Sequence, residues 1–89
     1  MGRVVASFRI LPTGTEIKLD DLKHAIKSAL PKEASAFKFE EEPIAFGLVA
    51  LHAHIVIPED VSGEMDRIEE ILSRVEGVSQ VDVTMVRRV

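Results

Sequence analysis

The sequence has no cysteine, so neither a disulfide framework nor a thiolate metal site can form, and nothing in it calls for an oxidising compartment. It has no tryptophan or tyrosine either; its aromatic residues are four phenylalanines, Phe8, Phe37, Phe39 and Phe46. Platforms for stacking nucleic-acid bases are therefore sparse. Asparagine is absent and Gln80 is the single glutamine, a depletion of labile amides seen in proteins that work hot. No apolar run approaches the roughly 20 residues of a membrane span, and Met1-Gly2-Arg3-Val4-Val5 passes into a strand-like pattern with no cleavable signal. Positive charge is in deficit: the formal net charge is −4, the wrong sign for general contact with phosphate backbones.

What is present suits one small acidic domain, expected over residues 1–89 and in the cytoplasm. The chain has 89 residues, 46% hydrophobic and 29% charged, as in a globular domain with a single core. Val4, Ala6, Phe8 and Ile10 alternate with Ser7 and Arg9, which predicts a half-buried strand closed by Pro12-Thr13-Gly14-Thr15. Leu19, Leu22, Ile26 and Leu30 then recur at helical spacing, widened by Ala25 and Ala29. Asp20 and Asp21 sit at the positive end of the helix dipole, and Pro31 ends the helix. A second alternating stretch places Phe37 and Phe39 on one side and Ala36, Lys38 and Glu40 on the other. The run Glu40-Glu41-Glu42 reads as a solvated acidic turn, and Pro43-Ile44-Ala45-Phe46-Gly47 as a hairpin turn. Val49, Leu51, Ala53, Ile55 and Ile57 form one face of a third, central strand, with His52 and His54 on its other face and Pro58 at its end. Ser62 suits an N-cap, Met65, Ile68, Ile71, Leu72 and Val75 form a helical stripe, and Gly77 suits the C-terminal cap. The last strand, from Val78, places Val81, Val83 and Met85 inward and Gln80, Asp82 and Thr84 outward.

The order is βαββαβ. It predicts a ferredoxin-like α+β sandwich, a four-stranded antiparallel sheet with two helices on one face. The other face would turn Ser7, Arg9, Lys38, Glu40, His52, His54, Asp82 and Thr84 toward solvent or a partner.

Such folds host unrelated functions, so function must come from side chains. No nucleophile sits in a recognisable motif and no Gly-rich phosphate loop exists, so no covalent catalysis and no cofactor are expected. His52 and His54 share a strand face at i, i+2 and could in principle ligate one metal, but no third ligand is evident, and packing is the better expectation. An RNA-binding module of the same topology would carry aromatics on its open face, where this chain has Ser7, Arg9, His52 and His54. Two features remain. Phe46 at a hairpin tip could cap its own core or anchor in a partner's pocket. Arg87 and Arg88 could be a frayed end, or cations held at the tip of a rigid strand.

The stretch Glu41-Glu42-Pro43-Ile44-Ala45-Phe46-Gly47-Leu48-Val49-Ala50-Leu51 resembles the hairpin of archaeal elongation factor one-beta. The opening Met1 to Ala6, the segment Val75-Glu76-Gly77-Val78 and the ending Val86-Arg87-Arg88-Val89 are similar to that family too, so the resemblance spans the chain. It implies a ferredoxin-like exchange domain that binds GDP-bound elongation factor one-alpha, accelerates GDP release and makes no direct contact with nucleic acid or membrane. The related eukaryotic factor has a penultimate lysine that enters the partner's Mg²⁺ site, and the matching position here is Arg88. The family's hairpin phenylalanine, which fills a pocket on the partner's second domain, matches Phe46. Two departures stand out: arginine replaces lysine, and Val89 stands where a larger apolar residue is commoner.

The resemblance therefore makes Pro43, Ile44, Ala45, Phe46, Gly47, Arg87, Arg88 and Val89 the expected partner-binding residues, on a chain expected to be monomeric when free. In this topology the hairpin and the C-terminus emerge at opposite ends of the sheet, roughly 25–30 Å apart for strands of this length. The alternatives are a small-ligand or metal-binding regulatory module using His52 and His54, and a structural subunit that pairs through its sheet.

Overall fold

The structure, a computed structural model, describes residues 2–58 and 64–88, without the side chain of Glu64. The expected N-cap at Ser62 and the expected contact residue Val89 lie outside the described residues. The element order is β1 (Arg3–Pro12), α1 (Leu19–Ala29), β2 (Ser35–Pro43), β3 (Val49–Pro58), α2 (Glu64–Ser73) and β4 (Val78–Arg88). The strands form one antiparallel sheet in the order β2-β3-β1-β4, the expected ferredoxin-like arrangement. No helix among the described residues is long and apolar enough to cross a membrane.

The core follows from the two periodicities. Ala6, Phe8 and Ile10 of β1 and Leu51, Ala53, Ile55 and Ile57 of β3 point to one sheet face, where Leu22 and Ile26 of α1 and Ile68 and Leu72 of α2 cover them. Each fully buried large aliphatic side chain contributes about 1.5–3 kcal/mol of transfer free energy, so the two central strands and two helical stripes dominate stability. The stripe on α1 is narrower than expected: Ala25 is half-buried and Ala29 exposed. Helix α2 ends in tight i to i−3 bonds, Arg74 N–H to Ile71 O at 3.2 Å and Val75 N–H to Leu72 O at 3.2 Å. Gly77 therefore serves the following turn, with φ 95°, and its carbonyl accepts from Thr13 N–H at 2.9 Å.

Two edge-strand irregularities overturn parts of the expected alternation. The register of β2 on β3 jumps between Ala36 and Lys38, leaving Phe37 as the extra residue of a bulge. A bulge reverses which face the residues beyond it occupy. Ala36 and Phe39 pack on the core, while Phe37 is 55% exposed on the open face with its ring 6.0 Å from that of His54. On β4 the register shifts between Ser7 paired with Met85 and Phe8 paired with Val83. Thr84 is left over, and its hydroxyl donates to Ser7 O at 3.1 Å. Met85, expected inward, consequently shares the open face with Ser7, and Val86 takes the helix side opposite Ala6. Ser7 itself is buried at 4% exposure and does not face solvent.

Candidate partner-binding site

Hairpin geometry places Phe46 at the outermost point of one end of the sheet. Pro43 and Val49 form the last pair of the β2–β3 ladder. Beyond them Ile44 N–H donates to Leu48 O at 2.9 Å, and Leu48 N–H donates to Ala45 O at 3.0 Å. The two central residues of that last turn, Phe46 and Gly47, have φ 57° and 80°. Positive φ at both positions gives the turn handedness that matches strand twist. Glycine adopts it freely, but phenylalanine strains against its own Cβ. Phe46 is the one non-glycine residue at positive φ among the described residues, and its ring is 96% exposed. It does not cap the core. Residues 43–47 are all exposed, with Ile44 at 39%.

The cations stand at the other end. Arg87 pairs with Val5 and Arg88 with Val4, and both arginines are exposed. Partners in an antiparallel ladder share a face, so Arg88 lies on the helix side with Val4, and Arg87 lies on the open side. The Thr84 bulge sets this assignment; an unbroken alternation would have reversed it. From Val49 at the hairpin base to Ile57, which is joined through Val4 to Arg88, β3 runs eight residues, about 26 Å at ~3.3 Å each. The whole body extends 43 Å along its longest axis.

The acidic run is not a solvated turn. Glu40, Glu41 and Glu42 are the last strand residues before Pro43, and each meets a cation or imidazole. His54 Nε2 donates to Glu40 Oε1 at 2.7 Å, and Lys38 Nζ lies 3.8 Å from the same carboxylate. On the opposite face Lys23 of α1 donates to Glu41 Oε2 at 3.0 Å. His52 Nε2 donates to Glu42 Oε1 at 2.9 Å, with Arg9 Nε at 3.7 Å. The hydrogen bond from His54, then the charge of Lys38, holds the Glu40 carboxyl below its usual range. The bond from His52 does the same for Glu42.

These contacts also occupy the histidines. A carboxylate can only accept, so Nε2 of His54 carries a proton, and Nδ1 of the same ring is hydrogen-bonded to the Ser7 hydroxyl at 2.7 Å. Both ring nitrogens are thereby engaged. Among the described residues no group of three or more histidine, aspartate or glutamate side chains is placed to hold a metal ion. A shallow depression beside the start of α1, lined by Thr13, Glu16, Ile17, Asp21 and Glu76 among others, opens widely to solvent and brings no convergent set of donors together.

Fold and site together define a ferredoxin-like α+β sandwich whose sheet has an exposed aromatic at one end and arginines at the other. A family model described as the EF-1 guanine nucleotide exchange domain matches residues 5–89, and the chain belongs to that family. It is 42% identical to elongation factor 1-beta of Hyperthermus butylicus over 100% of this chain and 97% of the relative. It is 46% identical to elongation factor 1-beta of Methanobrevibacter smithii, covering 99% and 98% of the two chains. The solved C-terminal domain of the MgtC protein from Mycobacterium tuberculosis shares the fold, with TM-score 0.59 and 16% identity over 93% of this chain and 86% of that one. Family membership gives the chain a guanine-nucleotide exchange role in translation elongation.

Proposed function

We propose that residues 1–89 form one exchange domain that bridges two domains of GDP-bound elongation factor one-alpha, holding one through Phe46 and loosening the nucleotide at the other through Arg88. The observation that carries this is Phe46 itself. An exposed phenylalanine in a left-handed conformation costs free energy in the isolated chain, and at 96% exposure its ring gains almost no burial to offset that cost. Strain retained at an exposed tip is the pattern of a binding residue.

Arg88 supplies the chemistry. Mg²⁺ beside a nucleoside diphosphate neutralises phosphate charge and braces the nucleotide against its protein. A guanidinium brought into that neighbourhood competes with the metal for the same oxygens, and its planar fork can take two of them at once. Metal and nucleotide then leave more readily. Linkage is reciprocal: each nucleotide whose binding the exchange domain weakens loosens the hold of the exchange domain by the same factor when it binds. No bond is made or broken, so the protein acts as a non-covalent factor without a cofactor, as a cytoplasmic monomer. Arg87, on the opposite sheet face, aids Arg88 by adding local positive potential.

The test is release of fluorescent GDP from purified elongation factor one-alpha after mixing with unlabelled nucleotide. The native chain accelerates release in proportion to its concentration until saturation. An unchanged release rate at saturating concentration sinks the proposal.

A further inference from the structure

We infer that Glu40, Glu41 and Glu42 are positioning residues, a brace that fixes the attitude of the β2–β3 hairpin to the sheet and thereby sets how tightly Phe46 engages the partner. This rests on the anchoring role proposed for Phe46.

The hairpin needs such a brace because apolar packing does not reach it. Strand β2 is an edge strand, and residues 40–47 are all exposed. The last β2 residue on the core is Phe39, under Lys27 Nζ at 5.6 Å from the ring centroid. Beyond it the strand is held by its ladder to β3 and by polar side chains. Edge strands held only by a ladder twist and fray readily.

The three carboxylates meet this need from three directions. Strand alternation sends Glu41 to the helix face and Glu40 and Glu42 to the open face. Glu41 is held from α1 by Lys23, itself 3.9 Å from Asp20 of its own helix. Glu42 is held from β3 by His52 and from β1 by Arg9. Glu40 is held from β3 by His54, which is tied in turn to the buried Ser7 of β1. Restraint from both faces resists tilting, which a ladder on one edge cannot do. Without their partners, three adjacent carboxylates would repel one another and splay the strand.

Exposed pairs of this kind add little to global stability. Hairpin tilt, however, is a local equilibrium among arrangements of similar energy, and there a several-fold bias changes how much of the protein is ready to bind. A base held in one attitude delivers the strained tip to its pocket without an ordering cost at association.

A paired measurement tests this. In the free protein, ¹⁵N relaxation reports the order of the Ile44 to Leu48 amides on the ps–ns timescale. The double substitution Glu41→Ala with Glu42→Ala lowers that order while the core amides stay unchanged. In a GDP-release titration it raises the half-maximal concentration roughly three- to tenfold with the maximal rate kept. Glu41→Gln with Glu42→Gln, which can still accept hydrogen bonds, restores part of the loss. In a Phe46→Ala background the same double alanine substitution has no further effect, because the brace acts through the ring. Unchanged amide order in the free double variant overturns the brace and leaves the anchoring role intact. An undiminished effect in the Phe46→Ala background also overturns it, since the carboxylates would then meet the partner directly. If Phe46→Ala alone leaves the half-maximal concentration unchanged, the anchoring role falls and the brace with it.

Discussion

Phe46 and Arg88 stand at opposite ends of one antiparallel sheet, with eight residues of β3, about 26 Å, between the base of the Phe46 hairpin and the level of Arg88. The strand that joins the two levels is central, and alternate residues along it, from Leu51 to Ile57, are in the core. A displacement imposed at one end is therefore carried to the other without dissipation in loops. In the proposed mechanism this sheet holds one domain of the partner through Phe46 while it presents Arg88 to another.

Relief of the strain at Phe46 trades binding for stability. Phe46→Gly removes a left-handed conformation that an L side chain resists, offset in part by the freer unfolded chain. The net gain is roughly 0.5–1 kcal/mol, a rise in the unfolding midpoint of about 2–8 °C. Thermal denaturation followed by circular dichroism checks the gain, and the GDP-release titration shows the accompanying loss of affinity.

Gly47→Ala has the opposite sign. A Cβ there would lie 3.5 Å from Thr15 Cγ2, an ordinary contact, so space is not the obstacle. The obstacle is φ 80°. The cost is about 1–2 kcal/mol, read as a lower midpoint in chemical denaturation with an unchanged slope.

Acid weakens the sheet through Glu40 and Glu42. Both carboxyls titrate lower in the folded chain than in the unfolded one, so around pH 4 the unfolded chain binds more protons. Their contribution is fully present above the ordinary glutamate range and is lost as pH falls through the lowered folded values. Unfolding midpoints measured from pH 6 to pH 3 fall more steeply for the native chain than for the Glu40→Gln with Glu42→Gln variant. Parallel curves would contradict this.

Core truncation gives the scale against which these surface effects are small. Ile55 is fully buried on the helix-covered face of central strand β3, so Ile55→Ala costs about 2–5 kcal/mol through lost transfer free energy and a residual cavity. Guanidinium denaturation measures it directly.

The fold was legible because its two periods are clean: Phe8 and Ile10 alternate with Arg9, and Leu22 and Ile26 recur at helical spacing. Where the sequence misled, a local rule met a non-local event. Alternation assumes an unbroken pleat, and nothing in Ala36-Phe37-Lys38 or Val83-Thr84-Met85 announces an extra residue, so Phe37 and Met85 were assigned to the wrong face. Strand alternation alone puts Arg87 and Arg88 on opposite faces, and the same bulge on β4 decides that Arg88 is the one on the helix side. Glu40-Glu41-Glu42 looked like a solvated turn because its partners, Lys23, His52, His54 and Arg9, come from three other elements, and only strand pairing brings them together. Ser7 is buried for a similar reason: His54, 47 residues away in sequence, engages it. The exposure of Phe46, by contrast, could not be decided from sequence, since a hairpin aromatic can fold back or stand out with equal local propensity.

The central claim is that the two ends do different work, and one titration of GDP release tests it most directly. Release rates from elongation factor one-alpha are measured against concentration for the native chain, Phe46→Ala and Arg88→Ala, each first shown to unfold at an unchanged midpoint. Arg88→Ala is expected to lower the maximal rate at least tenfold, about 1.4 kcal/mol of differential stabilisation, with little change in half-maximal concentration, and Phe46→Ala is expected to do the reverse. Full maximal acceleration by the Arg88→Ala variant would contradict the account and move the loosening of the nucleotide away from the C-terminal strand.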